Sequence, residues 1–190
     1  MRYYPGTKVE KKDLSGEQFL QGIFMATNGL VMQQLNEITG VATPAIQNWV
    51  SRGFISRPIN KRYNKDTTAR IFIINSLRNT MSLDDIKNLL VMLNGSVYSR
   101  EDDIIPESDL YAMFCKIIFD ARFSFKTIEL LVNEAIEGFN SHLDLAKQRL
   151  EMVMKILCEN YLAGELLEQA NNTLNALALI ANAPITDKGV

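Results

Sequence analysis

The sequence predicts an all-α protein, and three observations carry that expectation. Apolar residues recur at three- and four-residue spacing through most of the chain. Ser and Thr stand where helices would open, and Gly stands where they would close. Two stretches, residues 54–63 and 96–108, interrupt the pattern, and neither is long enough for a sheet of its own.

The elements follow in order. Ser15 can cap a helix opening at Gly16, with Gln18 completing a capping box, Leu14 and Phe19 in the staple positions, and Asn28-Gly29 closing it. LVMQQLNEITG makes a short helix ending at Gly40. Thr43 then caps, and Pro44 opens, a second short helix, PAIQNWVSR, which stops at Gly53. In FISRPINKRY, Pro58 lacks an amide donor and Asn60 tolerates turn geometry, so a short hairpin or loop is expected. A helix from about Asp66 to Asn79 shows Ile71, Ile74 and Leu77 on one face. Ser82 with Asp85 caps the next, which runs to Leu93, has Met81 and Ile86 as its staple, and leaves through Asn94-Gly95.

The polar stretch SVYSREDDIIPES, broken by Pro106, reads as a linker between two units, residues 10–95 and residues 107–182. In the second unit Leu110, Phe114, Ile117 and Ala121 recur at helix spacing. Val132, Phe139, Ala146 and Val153 then alternate with Ile136, Leu143, Leu150 and Leu157 as a 4-3 repeat, within which Gly138 marks a kink or a break. The repeat fades at Asn160 and Gly164 and resumes, shifted, with Leu167, Ala170, Leu174 and Leu177.

The 190 residues are 47% hydrophobic and 22% charged, enough for one large core or two small ones. No apolar run reaches the ~18 residues of a membrane span. The opening MRYYPGTKVEKK is not followed by an apolar stretch with a cleavage site, so a cytoplasmic location is expected, with no role at a membrane. Cys115 and Cys158 sit in apolar helical patterns and read as inert buried thiols. The single histidine, His142, is near neither cysteine and no zinc spacing is present, so neither metal nor cofactor is expected.

Charge is distributed unevenly. Residues 1–100 hold 13 Lys+Arg and 7 Asp+Glu, a balance of +6; residues 101–190 hold 7 and 15, a balance of −8. A basic half facing a polyanion and an acidic half facing solvent or protein would produce this asymmetry.

The two short helices joined through Gly40-Val41-Ala42 form the pattern of a helix-turn-helix, with Leu35 and Ile38 in the first packing on Ile46 and Trp49 in the second. If Ile46, Trp49 and Val50 point inward, Thr43, Ala45, Gln47, Asn48, Ser51 and Arg52 can point outward. Gln and Asn can bond an adenine edge bidentately, and Arg can serve guanine or phosphate. Residues 52–70 add Arg52, Arg57, Lys61, Arg62, Lys65 and Arg70 against the single acid Asp66, which suits phosphate contacts. The expected reading is therefore double-stranded DNA bound by Gln47, Asn48 and Ser51 at the bases and by Arg52, Arg57, Lys61 and Arg62 at phosphates. Thr43 and Tyr63 are expected among the DNA-binding residues as well, Thr43 at the start of the outward face and Tyr63 supporting the wing.

The segment from LNEITGVATPAIQNWVSRGF through SLDDIKNLL resembles the winged helix-turn-helix domain of the MerR family of bacterial regulators over about residues 30–93. The family's turn glycine falls on Gly40, its recognition-helix aromatic on Trp49, its helix-ending glycine on Gly53, its wing basic-aromatic region on Lys61-Arg62-Tyr63, and its "SLxxIKxLL" helix on SLDDIKNLL. The chain departs from that pattern at Asn36, where the family has a small alanine, and at Gln47-Asn48, where it has an Arg-Tyr pair. The whole chain, with its EQFLQGIFMATNG opening and DDIIPESDLY junction, resembles an uncharacterised family of Gram-positive bacteria. These resemblances imply a transcriptional regulator.

A homodimer on an inverted-repeat operator is expected, paired through Val132, Ile136, Phe139, Leu143, Leu150, Val153 and Leu157 so that the recognition helices stand about 34 Å apart. The aromatic and apolar residues Phe114, Ile117, Ile118, Phe119, Phe123 and Phe125 read as core, or else as the lining of a small-molecule effector pocket. An enzyme is not expected: there is no Gly-rich phosphate loop, GxSxG elbow or HExxH, and the acid pairs Asp84-Asp85, Asp102-Asp103 and Glu134/Glu137 suit a helix cap, a linker and a solvated face. The rival reading is a helical protein-interaction module that reuses the helix-turn-helix without DNA.

Overall fold

The computed structural model describes residues 3–25, 27–97, 103–143 and 145–181, and all its regular structure is helical. The helices are α1 (Gly16–Phe24), α2 (Met32–Thr39), α3 (Thr43–Ser51), α4 (Lys65–Leu77), α5 (Leu83–Asn94), α6 (Glu107–Ile118), α7 (Ile128–Ala135) and α8 (Ala146–Ala181). Among the described residues, β pairing is confined to isolated bridges, Tyr3 with Glu10, Leu30 with Tyr63 and Ile59 with Arg62. No described helix is long and apolar enough to cross a membrane.

Local chemistry sets most helix ends. Ser15 Oγ accepts from the Gln18 amide and Gln18 Oε1 accepts from the Ser15 amide, so α1 opens on both halves of a capping box. It ends at Phe24, before the expected Asn28-Gly29 stop. Asn64 caps α4 by accepting from the Thr67 amide, and Ser82 caps α5 by accepting from the Asp85 amide. Gly95 closes α5 with φ 57°.

Helix α4 is the centre of the fold. It packs on α1, α2, α5, α6 and α8, and Thr67 through Ile74 are buried without interruption. The sequence pattern pointed to one apolar face on this helix. ARIFII instead reads as a helix enclosed on all sides, which has no solvated face to alternate with. Helix α6, expected to begin a separate unit, lies against α1 and α4, and a single buried cluster runs from Tyr4 to Cys158 across the boundary expected at 95–107. Residues 98–102 of the expected linker and residue 182 at the expected end of the second unit lie outside the described residues. The N-terminal segment joins the same core: Tyr4 stacks on Phe19 with ring centroids 3.9 Å apart and donates to the Leu14 carbonyl, while Tyr111 donates to the Pro5 carbonyl.

The expected dimer face is corrected. Its 4-3 repeat is not one helix: α7 ends at Ala135, residues 136–143 are not helical, and α8 begins at Ala146. The two helices run back along each other, since Lys155 pairs with Glu129 at 3.6 Å near one end and Lys147 donates to the Glu137 carbonyl near the other. Val132, Ile136, Leu150, Val153 and Leu157 are no more than 4% exposed within the single chain, and Phe139 and Leu143 pack partly buried beside them. A helical hairpin uses the same spacing as a two-stranded coil, and here the repeat serves the chain's own core.

Cys115 and Cys158 are free and buried, and burial raises both thiols to about 12. Thiolate is the reactive form. Labelling by a thiol-specific disulfide reagent at pH 8 is therefore expected to be at least ~100-fold slower in the native chain than in urea; comparable rates would show that the core opens around α6 and α8.

Candidate functional site

Helices α2 and α3 form the expected joint. Leu35 and Thr39 of α2 and Ile46 and Trp49 of α3 are buried, with Val41 buried between the helices and Ile38 partly buried beside them. Gly40 closes α2 at φ 71°, a left-handed conformation that a side chain would strain. Thr39 Oγ1 donates to the Leu35 carbonyl at 2.6 Å and accepts from the Val41 amide, which fixes the turn from inside.

Asn36, one of the departures from the MerR pattern, has a structural part here. Its side chain is hydrogen-bonded to Thr43 Oγ1 at 2.6 Å, and with its amide nitrogen turned away from that hydroxyl it also donates to the carbonyls of Met32 and Val41. Asn36 thus ties α2 to α3. Thr43 is corrected accordingly: it is the first residue of α3, with Ala42 in the cap position, and its half-buried hydroxyl is engaged in the joint.

Pro44, Gln47, Asn48, Ser51 and Arg52 make the exposed edge of α3, while Ala45 is half-buried against the core. Gln47 and Asn48 make no side-chain hydrogen bond within the described chain. Ser51 Oγ donates back to the Asn48 carbonyl. Arg52 is tethered: Nη2 lies 2.8 and 2.9 Å from the two carboxylate oxygens of Asp84, and the guanidinium stands over the Phe54 ring. Lys87 of α5 approaches the same ring and donates to the Arg52 carbonyl. The ion pair is exposed on both sides, so a phosphate can compete for Arg52 at little cost.

The wing is a minimal hairpin. The amide of Ile59 bonds the carbonyl of Arg62 and the reverse, both at 2.9 Å, around Asn60 and Lys61 at φ 50° and 62°. Positive φ at both central residues is the two-residue turn that matches strand twist. The base is paired to the chain before α2 through mutual Leu30 and Tyr63 bonds, and Arg62 Nη1 donates to the Gly29 carbonyl. Gly29 is required there, because a Cβ would meet the Tyr63 carbonyl at 2.8 Å. Arg57 and Lys61 are exposed, and Arg62 is exposed with one arm committed to Gly29. Tyr63 is corrected: at 3% exposure it supports the wing from the core and cannot touch a ligand outside.

A recess that the sequence did not disclose opens beside this turn, lined by Asn28, Ser56, Arg57, Asn60, Arg62 and Asn64 among others, with two cations and no acid. Its signal was three asparagines scattered over 37 positions, which only the fold brings together.

Arg70, counted with the basic run, faces the other way. It is 2% exposed, donates from Nε to the Phe54 carbonyl at 2.7 Å and from Nη1 to Glu107 at 2.8 Å, and its Nη2 has no partner among the described residues. Burial lowers its proton affinity and the Glu107 carboxylate opposes that. The guanidinium holds the turn after α3 to the first turn of α6, so the basic surface is confined to Arg52, Arg57, Lys61, Arg62 and the half-buried Lys65.

A surface of this kind belongs to a helical protein with a helix-turn-helix joint and a short basic hairpin. Residues 9–114 match the family described as Domain of unknown function (DUF1836), and the chain belongs to that family. Over 120 residues it is 28% identical to the Uncharacterized protein YkrK of Bacillus subtilis (strain 168), a stretch covering 60% of this chain and 49% of that relative. The chain thus matches about half the length of this curated relative. No solved structure matches it significantly. The matched region runs through α6, consistent with the packing of that helix into the N-terminal core.

Proposed function

We propose that the protein is a sequence-specific, double-stranded-DNA-binding regulator with a MerR-like winged helix-turn-helix reader, acting as a pair of copies on an inverted-repeat operator. The observation that carries this reading is the exposed edge of α3, where Gln47 and Asn48 are unengaged above a locked apolar face. Such an edge suits the major groove, which presents adenine N6 and N7 to exactly matched amides. The hairpin beside it offers Arg57 and Lys61 to the backbone, and the recess between them contains no carboxylate to repel a phosphate.

Counterion release makes the test quantitative. Binding to labelled duplex, followed by fluorescence anisotropy across a salt series, is expected to weaken linearly in log–log form, with a slope of about −0.9 per phosphate contact. Arg57→Gln and Lys61→Gln are each expected to flatten that slope by about one unit and to weaken all duplexes alike. They are better probes than Arg62, whose guanidinium also holds the hairpin to Gly29. Absence of affinity for any duplex in low-salt buffer would sink the regulator reading, and a protein partner bound with little salt dependence would point to the interaction module.

A further inference from the structure

The last helix is arranged opposite to the rest of the molecule. Its 36 residues extend about 54 Å, yet burial stops at Cys158 and every residue from 165 to 181 is exposed. The side turned toward the body, across an open groove from Tyr3–Thr7, Asn75 and Ser76, is the polar one: Glu165, Glu168, Gln169, Asn172 and Thr173 line it. Leu167, Ala170, Leu174, Leu177 and Ala181 recur at three- and four-residue spacing on another face, flanked by Leu166 and Ile180, with Leu167 at its margin beside a recess shared with Ser76 and Asn79. The large residues of that stripe are 48 to 73% exposed. A helix docking on its own core would show the reverse arrangement.

Helix propensity makes the same point. Asn171, Asn172, Thr173 and Asn175 are weak helix formers, and a segment of this length without tertiary burial is marginal in water. Nothing among the described residues buries it, and the charges indicate what would. Residues 169–181 carry no ionisable side chain, so two identical stripes meet without repulsion, whereas a charged partner finds nothing to pair with. The five large aliphatic side chains offer on the order of 100 Å² each, roughly 500 Å² per copy, somewhat below the ~800 Å² per partner of a standard interface. Small Ala170 and Ala181 permit close approach of the helix axes.

We infer that the exposed end of α8, residues 166–181, is the surface through which two copies of this chain pair. The inference deepens, and rests on, the paired-copy part of the proposed function, replacing the 132–157 face that the core consumes. Modest area implies a reversible dimer.

Sedimentation equilibrium of the full chain, without DNA, tests it. The mass is expected to rise from 21.5 kDa toward twice that value as the concentration goes from about 1 to about 100 µM. A double variant, Leu174→Glu with Leu177→Glu, is expected to stay at one chain's mass throughout, with thermal unfolding of the core unchanged because both sites are exposed. A wild-type chain that remains single over the whole range overturns the inference, and so does a double variant that pairs as the wild type does. Duplex binding by a single chain would overturn the pairing alone; pairing without duplex binding would support it and overturn the regulator reading alone.

Discussion

Replacing Glu107 with alanine is expected to lower the unfolding free energy by about 3–5 kcal/mol, the range for breaking one side of a buried ion pair. Arg70 is enclosed by α4, the turn after α3 and the start of α6, and Glu107 is the carboxylate bonded to its guanidinium. Without Glu107 the cation keeps its Phe54 carbonyl bond but loses its hydrogen-bonded countercharge and is left with the weaker attraction of Asp103, in a place where Nη2 has no partner among the described residues. Urea unfolding should show a lower midpoint at unchanged slope, which isolates stability from changes in the denatured chain. The pair is not itself a large source of stability, because desolvation offsets most of its attraction. The combination Arg70→Met with Glu107→Leu should therefore recover most of the loss. An unshifted midpoint for Glu107→Ala would mean that water reaches Arg70 and that the cluster is solvated.

This pair also shows where sequence reading stops. Features set by neighbours within four residues were legible: the Ser15–Gln18 box, Gly40 at the end of α2, Ser82 capping α5, and a turn that includes Asn60 all occur where local chemistry placed them. The apolar side of α3 was legible too, because Ile46 and Trp49 repeat at helix spacing. Arg70 was misassigned because charge carries no direction along the sequence; a buried arginine and an exposed one look alike until Glu107, 37 positions away, is placed beside it. The 132–157 repeat failed for a related reason. Apolar spacing reports that a face is covered without reporting by what, and the break in the helix after Ala135 lets α7 cover α8. In the sequence Asn36 stands only as a departure from the family's pattern, and its part in the fold, the bond to Thr43 across the joint, depends on a turn angle that no residue type encodes alone.

The second large effect concerns the edge of α3. Gln47→Ala combined with Asn48→Ala is expected to abolish discrimination between a selected duplex and a scrambled one. Each bidentate amide contact contributes about 1–3 kcal/mol of discrimination, so the pair accounts for a preference of roughly 30-fold to 20,000-fold. Binding to the scrambled duplex should be retained, since Arg57 and Lys61 stay in place and phosphate contacts carry no sequence information. Stability should be unaffected, as both side chains are exposed and make no bond within the described chain. Trp49 supplies the control: it is the only tryptophan, buried on the opposite face of the same helix, and unchanged emission shows that α3 is still docked. A variant with native emission and an undiminished preference for the selected site would remove both residues from base reading. Sequence recognition would then pass to Arg52, which must first leave Asp84, and replacing Asp84 with asparagine should in that case tighten binding instead of leaving it unchanged.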